Sequence, residues 1–264
     1  MNSCQTIAVY NFKGGVGKST TAINLAASLA HAHKMRVLVL DLDPQANATR
    51  ALLGKEIEDG VPSIREILLA ESHTPVSVEN VALSTQVDGL RLVPANIGLA
   101  EAELKLANRA HREFLLRTAL HTVARQYDFV LIDCPPSLGL LSLNALAAAD
   151  SAILPCETQY LALRGIRYVW DVFALVRERL NPKLQCLGIL ATKYFPWSLA
   201  NREVLLYIQS QRNNLPVFDT VIPKDVRAEE APNAGKPLLL YAPDARASLA
   251  YFDLAREVIS RCRA

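Results

Sequence analysis

The sequence has few cysteines, no long uninterrupted apolar run and no excess of one charge, and each shortage excludes a class of protein. The five cysteines are an odd number, lie far apart and form no CxxC pair, which argues against a disulfide framework and against a zinc ribbon. The most apolar stretch, 138–156, is interrupted by Asn144 and Asp150, which argues against a membrane span. Lys and Arg number 28 against 26 Asp and Glu, so any surface that attracts nucleic acid must be a local patch.

Signals for export, repeats and flexible linkers are missing as well. The N-terminus lacks the basic-then-apolar order of a secretory signal, which predicts a cytoplasmic protein. No low-complexity tract, internal repeat or Gly/Ser-rich linker divides the 264 residues, 51% of which are hydrophobic and 20% charged. We therefore expect one globular domain over residues 1–264.

Short apolar runs alternate with segments of helical periodicity along most of the chain. This order is typical of βαβ crossovers and predicts an α/β fold with a doubly wound, mostly parallel sheet flanked by helices. Ligands of such sheets bind at the carboxyl ends of the strands. The predicted strands are 6–10, 36–41, 90–93, 129–133, 152–155, 186–191 and 217–222, and the predicted helices include 19–32, 101–125, 164–179 and 251–261.

A glycine-rich loop follows the first predicted strand and leads into the first helix. Its glycines allow backbone N–H groups to surround a phosphate, and the helix N-terminus adds partial positive charge. Lys18 is expected to reach the β- and γ-phosphates and the Ser19 hydroxyl to ligate Mg²⁺. Phe12 occupies the first glycine position of the usual P-loop pattern, and a second lysine, Lys13, follows it. The candidate nucleotide-binding residues are Lys13, Gly14, Gly15, Val16, Gly17, Lys18, Ser19 and Thr20.

Three aspartates lie at the ends of two further strands. Asp133 ends the run FVLID, where a carboxylate serves as the Walker B group that holds a water on Mg²⁺. Asp41 and Asp43 are two residues apart and point to one face if the strand continues. A carboxylate near the γ-phosphate can orient the attacking water. Asp43 followed by Pro44 is also a common way to open a turn, so the spacing leaves both interpretations open.

Six segments resemble, in chain order, the ParA/Soj partition ATPases, which belong to the deviant Walker A class of P-loop proteins. The similarity extends from Ile7 to about Val258. Because the P-loop begins at Lys13, the chain resembles the short, chromosomal form without an N-terminal helix-turn-helix domain. The segments are NFKGGVGKSTT, VLVLDLDPQANAT, LRLVPANIGLAEAEL, YDFVLIDCPPSL, CETQYLALRGI and VIPKDVRAEEAPNAGKPLLLYAPDARASLAY.

The resemblance implies roles for the loop residues. Lys13 would be the signature lysine that crosses the interface of an ATP-sandwich homodimer and touches phosphate in the partner subunit. Gly14 would be small because the two loops approach each other there. The phosphates and Mg²⁺ within one subunit would be served by Lys18, Ser19 and Thr20.

The resemblance also assigns the aspartates and an adenine pocket. Asp43 would position the hydrolytic water, with Asp41 and Asp133 near the metal. Adenine would lie against Pro223 and Asp225, where the family has a Pro-basic-Asn stretch. An aspartate at the last position can accept a hydrogen bond from the adenine amino group but cannot donate one.

Members of this family bind double-stranded DNA without sequence preference, through phosphate contacts that weaken with salt. Arg227 matches one family arginine, whereas Trp197 occupies the place of a second. Nearby basic side chains that could replace the second are Lys193, Arg202 and Arg212, with Lys224 beside Arg227. Trp197 is either an ordinary aromatic side chain of the core or surface, or one that rests on a sugar or base.

Taken together, the sequence predicts a Mg²⁺-dependent ATPase that segregates DNA. ATP would assemble the dimer on the bacterial nucleoid, and a ParB-like centromere-binding protein would stimulate hydrolysis and release. One alternative is a ParA-like ATPase that positions a protein cluster, such as a chemoreceptor array or cellulose synthases. A MinD-like membrane regulator would need an amphipathic helix beyond 251–261, and an iron protein of the nitrogenase kind would need a second cysteine to accompany Cys134.

Overall fold

The computed structural model describes residues 4–58, 60–71, 74–123, 125–159 and 162–263, with the backbone alone for 162–167. These residues form a seven-stranded sheet in the order β3-β4-β2-β5-β1-β6-β7. The strands are β1 (Gln5–Val9), β2 (Val37–Asp41), β3 (Leu83–Ser84), β4 (Leu90–Val93), β5 (Phe129–Asp133), β6 (Ser151–Glu157) and β7 (Gln185–Thr192). All neighbouring strands are parallel except β3, which runs antiparallel to β4.

Helices connect the strands and cover both faces of the sheet, which confirms the predicted α/β fold class. The helices are α1 (Lys18–His33), α2 (Asn47–Leu53), α3 (Ile64–Leu69), α4 (Val78–Val81), α5 (Gly98–Leu106), α6 (Leu115–His121), α7 (Leu140–Ala148), α8 (Ala162–Arg179), α9 (Leu199–Ser210), α10 (Val226–Glu230), α11 (Leu238–Tyr241) and α12 (Arg246–Arg263), with a 3₁₀ turn at Gln211–Asn213. Within the part of the chain described, no helix is long and apolar enough to cross a membrane.

The central strands are buried on both faces because successive side chains enter two separate hydrophobic layers. In β2, Val37 and Val39 pack in the layer that contains α1 and α12, whereas Leu38 and Leu40 pack in the layer that contains α5 to α8. All five residues of β2 are buried. Continuous apolar strands of this kind are the mark of a parallel sheet that is covered by helices on both sides.

The predicted helix over 101–125 is wrong, because the structure contains two helices separated by a turn. Helix α5 ends at Leu106 and α6 begins at Leu115. Long-range hydrogen bonds hold the turn between them: Arg109 of the turn donates to the carbonyl oxygens of Leu68 and Ala70 at the end of α3, and Asn144 of α7 donates to the Arg112 carbonyl at 2.7 Å. His111 in this turn has φ of 55°, which no α-helix allows.

The predicted strand over 217–222 is also wrong, although the segment follows β7. Phe218 N–H donates to the Ile189 carbonyl and Ile222 N–H donates to the Ala191 carbonyl, so both ends of the segment touch the strand. Between them the Thr220 N–H turns away and donates to a Glu257 carboxylate oxygen at 3.0 Å. Glu257 thus accepts a hydrogen bond from a backbone N–H that would donate to β7 if the strand were continuous.

Candidate functional site

The glycine-rich loop lies between β1 and α1 at the carboxyl edge of the sheet. Gly15 has φ of +76° and Gly17 has φ of +87°, a left-handed conformation that residues with a side chain adopt at a cost. Gly17 directly precedes the first turn of α1, whose N–H groups are free of helical partners there. A glycine-rich loop at a helix N-terminus is an arrangement in which backbone N–H groups and the helix dipole favour an anion.

Two polar side chains hold the loop in place. Asn11 donates to the Pro155 carbonyl of β6 at 2.8 Å and accepts from the Lys13 N–H at 3.0 Å. On the other side, the Thr192 hydroxyl at the end of β7 donates to the Val16 carbonyl at 2.9 Å. The loop is therefore shaped by β6 and β7 as well as by its glycines. Neither Asn11 nor Thr192 stands in a sequence pattern that indicated this role.

Lys18 is buried at the base of the loop. Its side chain donates from Nζ to the Lys13 carbonyl at 3.0 Å, and the residue is 6% exposed. Burial lowers the pKa of this ammonium, and the nearby carboxylates of Asp133 and Asp43 act in the opposite direction. The positive charge of Lys18 thus lies near the carboxylates of Asp133 and Asp43, at the position where the sequence predicts phosphate.

Lys13 is paired within its own subunit in this structure. Its Nζ lies 3.6 Å from Glu157 Oε2, at the carboxyl end of β6. The other oxygen, Glu157 Oε1, accepts from Gln159 Nε2 at 2.8 Å. Glu157 belongs to the segment CETQY, but its spacing from Lys13 in the chain gave no sign of this contact.

Asp41 and Asp133 lie side by side, because β2 and β5 pair in parallel with these two residues in register. Both are fully buried. Asp41 Oδ2 accepts from the Thr49 N–H and hydroxyl at 2.8 and 2.7 Å, and its Oδ1 accepts from the Asp43 N–H at 3.1 Å. Burial raises the pKa of the Asp41 carboxyl, although the bonds from Thr49 and Asp43 lower it. Asp41 therefore shapes the turn that carries Asp43.

Asp133 has no such partners. Neither of its carboxylate oxygens accepts a hydrogen bond of regular geometry from the residues that the structure describes. Burial raises its pKa well above the usual range and Asp41 raises it further, whereas the neighbouring Ser19 hydroxyl and Lys18 lower it. A buried carboxylate without partners beside the loop is the arrangement that a hydrated divalent cation would complete.

Asp43 sits in the turn after β2 and is 6% exposed. Its Oδ1 accepts from the Gln45 N–H at 2.9 Å, as in a turn-opening aspartate. Its Oδ2 accepts no hydrogen bond from the described residues, and Asp43 contributes to the electrostatic environment of Lys18. One oxygen of Asp43 therefore opens the turn, and the role of the other in orienting water stays a prediction.

The segment predicted to touch adenine contains an internal ion pair. Asp225 begins α10 and accepts from the Arg227 N–H at 3.1 Å, so it serves as the N-cap. The Arg227 guanidinium also donates to both oxygens of the same carboxylate. The Arg227 guanidinium and the capping N–H hold the pKa of Asp225 below its usual range, against the effect of burial. Pro223 lies next to Tyr194 in an isolated bridge.

The basic residues named as DNA candidates lie on adjoining segments. Tyr194 N–H donates to the Ile222 carbonyl and Lys224 N–H donates to the Tyr194 carbonyl, at 3.0 and 2.8 Å, so the backbones that carry Lys193 and Lys224 run together. Lys193 has φ of 52°, an unusual value that fixes where the chain leaves β7. These two lysines are thus brought together by the backbone.

Arg202 lies in the first turns of α9 and is exposed. The preceding residue, Asn201, accepts at Oδ1 from the Phe195 N–H and from the Thr158 hydroxyl, both at 3.0 Å, and so ties α9 to the loop after β7. Trp197 in this loop is 81% exposed, which excludes the core position considered for it. The surface around Lys193 therefore combines cations with an exposed aromatic ring.

Comparison with known protein families identifies the chain's relatives. A family model described as an AAA domain matches residues 4–186. The chain is 42% identical to the sporulation initiation inhibitor protein Soj of Bacillus subtilis over 252 residues, which cover 96% of this chain and 97% of Soj. It is 43% identical to the chromosome partitioning protein ParA of Myxococcus xanthus, with 97% of this chain and 88% of the relative covered.

Solved structures share the fold over nearly the whole chain. A Mycobacterium smegmatis crystal structure, described as cobyrinic acid a,c-diamide synthase with bound ATP analog and magnesium, is 35% identical and superimposes with a TM-score of 0.83, covering 99% of this chain and 96% of the other. Full-length similarity of this degree, together with the loop of Lys13 and Lys18 and the buried Asp133, assigns the chain to a family. The chain belongs to the ParA/Soj family of P-loop ATPases.

Proposed function

We propose that this protein is a Mg²⁺-dependent partition ATPase whose ATP-bound homodimer binds double-stranded DNA without sequence preference. The observation that carries the nucleotide part is the buried Asp133 carboxylate, which accepts no hydrogen bond of regular geometry from the described residues and lies near Lys18 and Ser19. The likeness to Soj and ParA over almost their whole lengths supports the partition part.

The residues of the site fit ATP with Mg²⁺. Phosphate would lie against the N–H groups of residues 14–20 and the Lys18 ammonium, and Mg²⁺ would be held by the Ser19 hydroxyl and, through water, by Asp133. When bound, the cation would neutralise charge on the phosphate oxygens. Binding would also supply Asp133 with the partners that the free protein does not give it.

Hydrolysis requires mainly that groups be positioned. Phosphoryl transfer needs an in-line water and stabilisation of charge on the phosphate oxygens. Lys18 supplies a buried positive charge, and the free Oδ2 of Asp43 would orient the water. Asp41, through its bond from the Asp43 N–H, keeps that turn in place. A site that works mainly by positioning fits slow basal turnover that a partner protein raises.

Dimerisation would complete the site with Lys13 of the second subunit. The Lys13 side chain is 36% exposed, and its ion pair with Glu157 is long at 3.6 Å, so it can exchange this partner for a phosphate. Among the described residues, the nearest atom to a Cβ placed on Gly14 is the Cβ of Pro136 at 3.9 Å, so its own subunit leaves room for a side chain there. The need for a small residue at this position would therefore arise from the partner's loop.

The DNA-binding surface of the dimer would include Lys193, Arg202, Lys224 and Arg227. A ParB-like centromere-binding protein would stimulate hydrolysis and thereby release the dimer from DNA. We place the protein in the bacterial cytoplasm, on the nucleoid.

The first test is binding of the purified protein to random-sequence duplex DNA with ATP, with ADP and without nucleotide, across a salt series. We expect binding only with ATP and Mg²⁺, and a steep fall with salt as counterions compete for phosphate contacts. ATP-dependent dimers that fail to bind DNA at low salt would overturn the DNA part of the proposal. That result would favour an ATPase that positions a protein cluster.

A further inference from the structure

The candidate DNA arginine, Arg227, is occupied by a carboxylate of its own subunit. Its Nε donates to Asp225 Oδ1 at 3.0 Å and its Nη2 donates to Asp225 Oδ2 at 3.1 Å. Two parallel N–H groups on two carboxylate oxygens make the bidentate geometry in which arginine binds anions best. Phosphate would use this same edge of the guanidinium.

The carboxylate is fixed more firmly than the guanidinium. Asp225 caps α10 through the Arg227 N–H and its side chain is 9% exposed, whereas the Arg227 side chain is 40% exposed. A second acid, Asp244, places Oδ1 3.9 Å from Arg227 Nη1, and Glu230 lies near enough to raise the pKa of the guanidinium as well. Arg227 is thus an exposed cation with acids of its own chain beside it.

We infer that Asp225 competes with DNA phosphate for Arg227 and so determines how tightly, and with what salt dependence, this protein holds DNA. The inference rests on the proposed DNA binding. A phosphate that approaches Arg227 must share or displace the carboxylate, because two N–H donors of the guanidinium are already used. The Asp225 carboxylate therefore offsets part of the attraction between Arg227 and DNA phosphate.

The test substitution is Asp225→Asn, which removes the charge but preserves the helix cap, since Asn and Asp cap helices equally well. We expect the ATP-bound variant to bind duplex DNA about 1.5- to 5-fold more tightly at fixed salt, the range for an exposed ion pair. The slope of log K against log salt should steepen by up to about 0.9 for each arginine that gains a phosphate. Asp225→Ser offers a second capping side chain without the charge.

A matched control exists at the amino ends of the strands, on the opposite side of the molecule from the phosphate loop. Asp128 accepts from the Arg36 N–H at 2.8 Å and from the same guanidinium at 3.2 and 2.8 Å, which is the arrangement seen at Asp225. Asp128→Asn changes the net charge of the protein by the same amount, and we expect it to leave DNA affinity unchanged. A gain in Asp128→Asn equal to that of Asp225→Asn would show a general charge effect and overturn the inference.

Arg227→Ala provides the decisive background. We expect Asp225→Asn to have no effect on DNA affinity once Arg227 is absent, and a gain that persists in the double variant would overturn the inference. Unchanged binding in folded, ATP-bound Asp225→Asn or Asp225→Ser would overturn it as well, while leaving DNA binding itself intact. Failure of the unmodified protein and of every variant to bind DNA with ATP would instead refute the proposed function.

Discussion

At the residue scale, the charged form of the buried Asp133 carboxylate destabilises the nucleotide-free protein. Because its folded pKa is raised, the folded state holds a proton that the unfolded state releases at lower pH. The stability linked to this group is therefore present below the unfolded pKa, near 4, and is lost as pH rises through the folded pKa. Binding of Mg²⁺ and nucleotide beside Asp133 would restore the stability that is lost at high pH.

Asp133→Asn should consequently stabilise the nucleotide-free protein at pH 8 by about 1–2 kcal/mol, because a neutral amide carries no charge that burial and Asp41 disfavour, and by less at pH 5, where less of that charge is present. Urea unfolding at the two pH values measures this. As a control, Asp128→Asn should destabilise, because Arg36 lowers the pKa of that carboxyl. Equal stability of Asp133→Asn and the unmodified protein at both pH values would contradict the argument.

Lys13 is the second residue whose partner must change. Lys13→Ala removes only an exposed, 3.6 Å ion pair from the single subunit, so folding and ATP binding should be retained. Dimers formed with ATP should be lost, as measured by light scattering after size-exclusion chromatography. As a control, Glu157→Gln removes the competing carboxylate and should leave dimerisation unchanged or strengthen it. A Lys13→Ala protein that still dimerises with ATP would exclude a role for Lys13 across the interface.

At the scale of elements, α12 acts as a clamp on the segment that precedes Pro223. Glu257 accepts from the Asp219 and Thr220 N–H groups, and Arg261 donates to the Leu187 and Val217 carbonyls while its guanidinium lies 4.3 Å from the centre of the Phe218 ring. One helix therefore positions both β7 and the segment beside it.

Glu257→Ala should lower the free energy of unfolding by about 2–4 kcal/mol, because it leaves two backbone donors and the Arg261 guanidinium without their acceptor. Chemical denaturation measures the loss. Asp253→Ala on the exposed side of the same helix, where only Arg256 is bound, is the control and should change stability by less than about 0.5 kcal/mol. Similar losses in both variants would contradict the clamp.

The elements that the sequence predicted correctly are those with a local signal. Strands such as Phe129–Asp133 are indicated by four apolar residues in a row before the aspartate, and α1 is indicated by the glycine loop before it and by its alanines and leucines at helical spacing. The turn inside 101–125 depends on bonds with other elements, from Arg109 of the turn to the end of α3 and from Asn144 of α7 to the turn, and no local pattern reveals such contacts. The same holds for Glu157 at Lys13 and for the ion pair of Asp225 with Arg227.

At the scale of the whole molecule, nucleotide should act on stability through strands β6 and β7 on one side of the sheet, since the loop is bonded to both. With ATP and Mg²⁺ at 100 times the dissociation constant, linkage predicts about 2.7 kcal/mol of added stability. Thermal unfolding with and without the ligands measures this gain, and chelation of Mg²⁺ should remove part of it. An unchanged melting temperature at saturating ATP would refute nucleotide binding at this loop.

The position of β1 has a consequence for synthesis on the ribosome. This first strand lies in the middle of the sheet and pairs only with β5 and β6, whose residues are made more than a hundred positions later. Until Thr192 has emerged, the phosphate loop lacks its bond to β7. A nascent chain that already carries the complete glycine motif must therefore wait for most of its length before the motif acquires its shape, and premature termination yields a fragment with the motif but without the site.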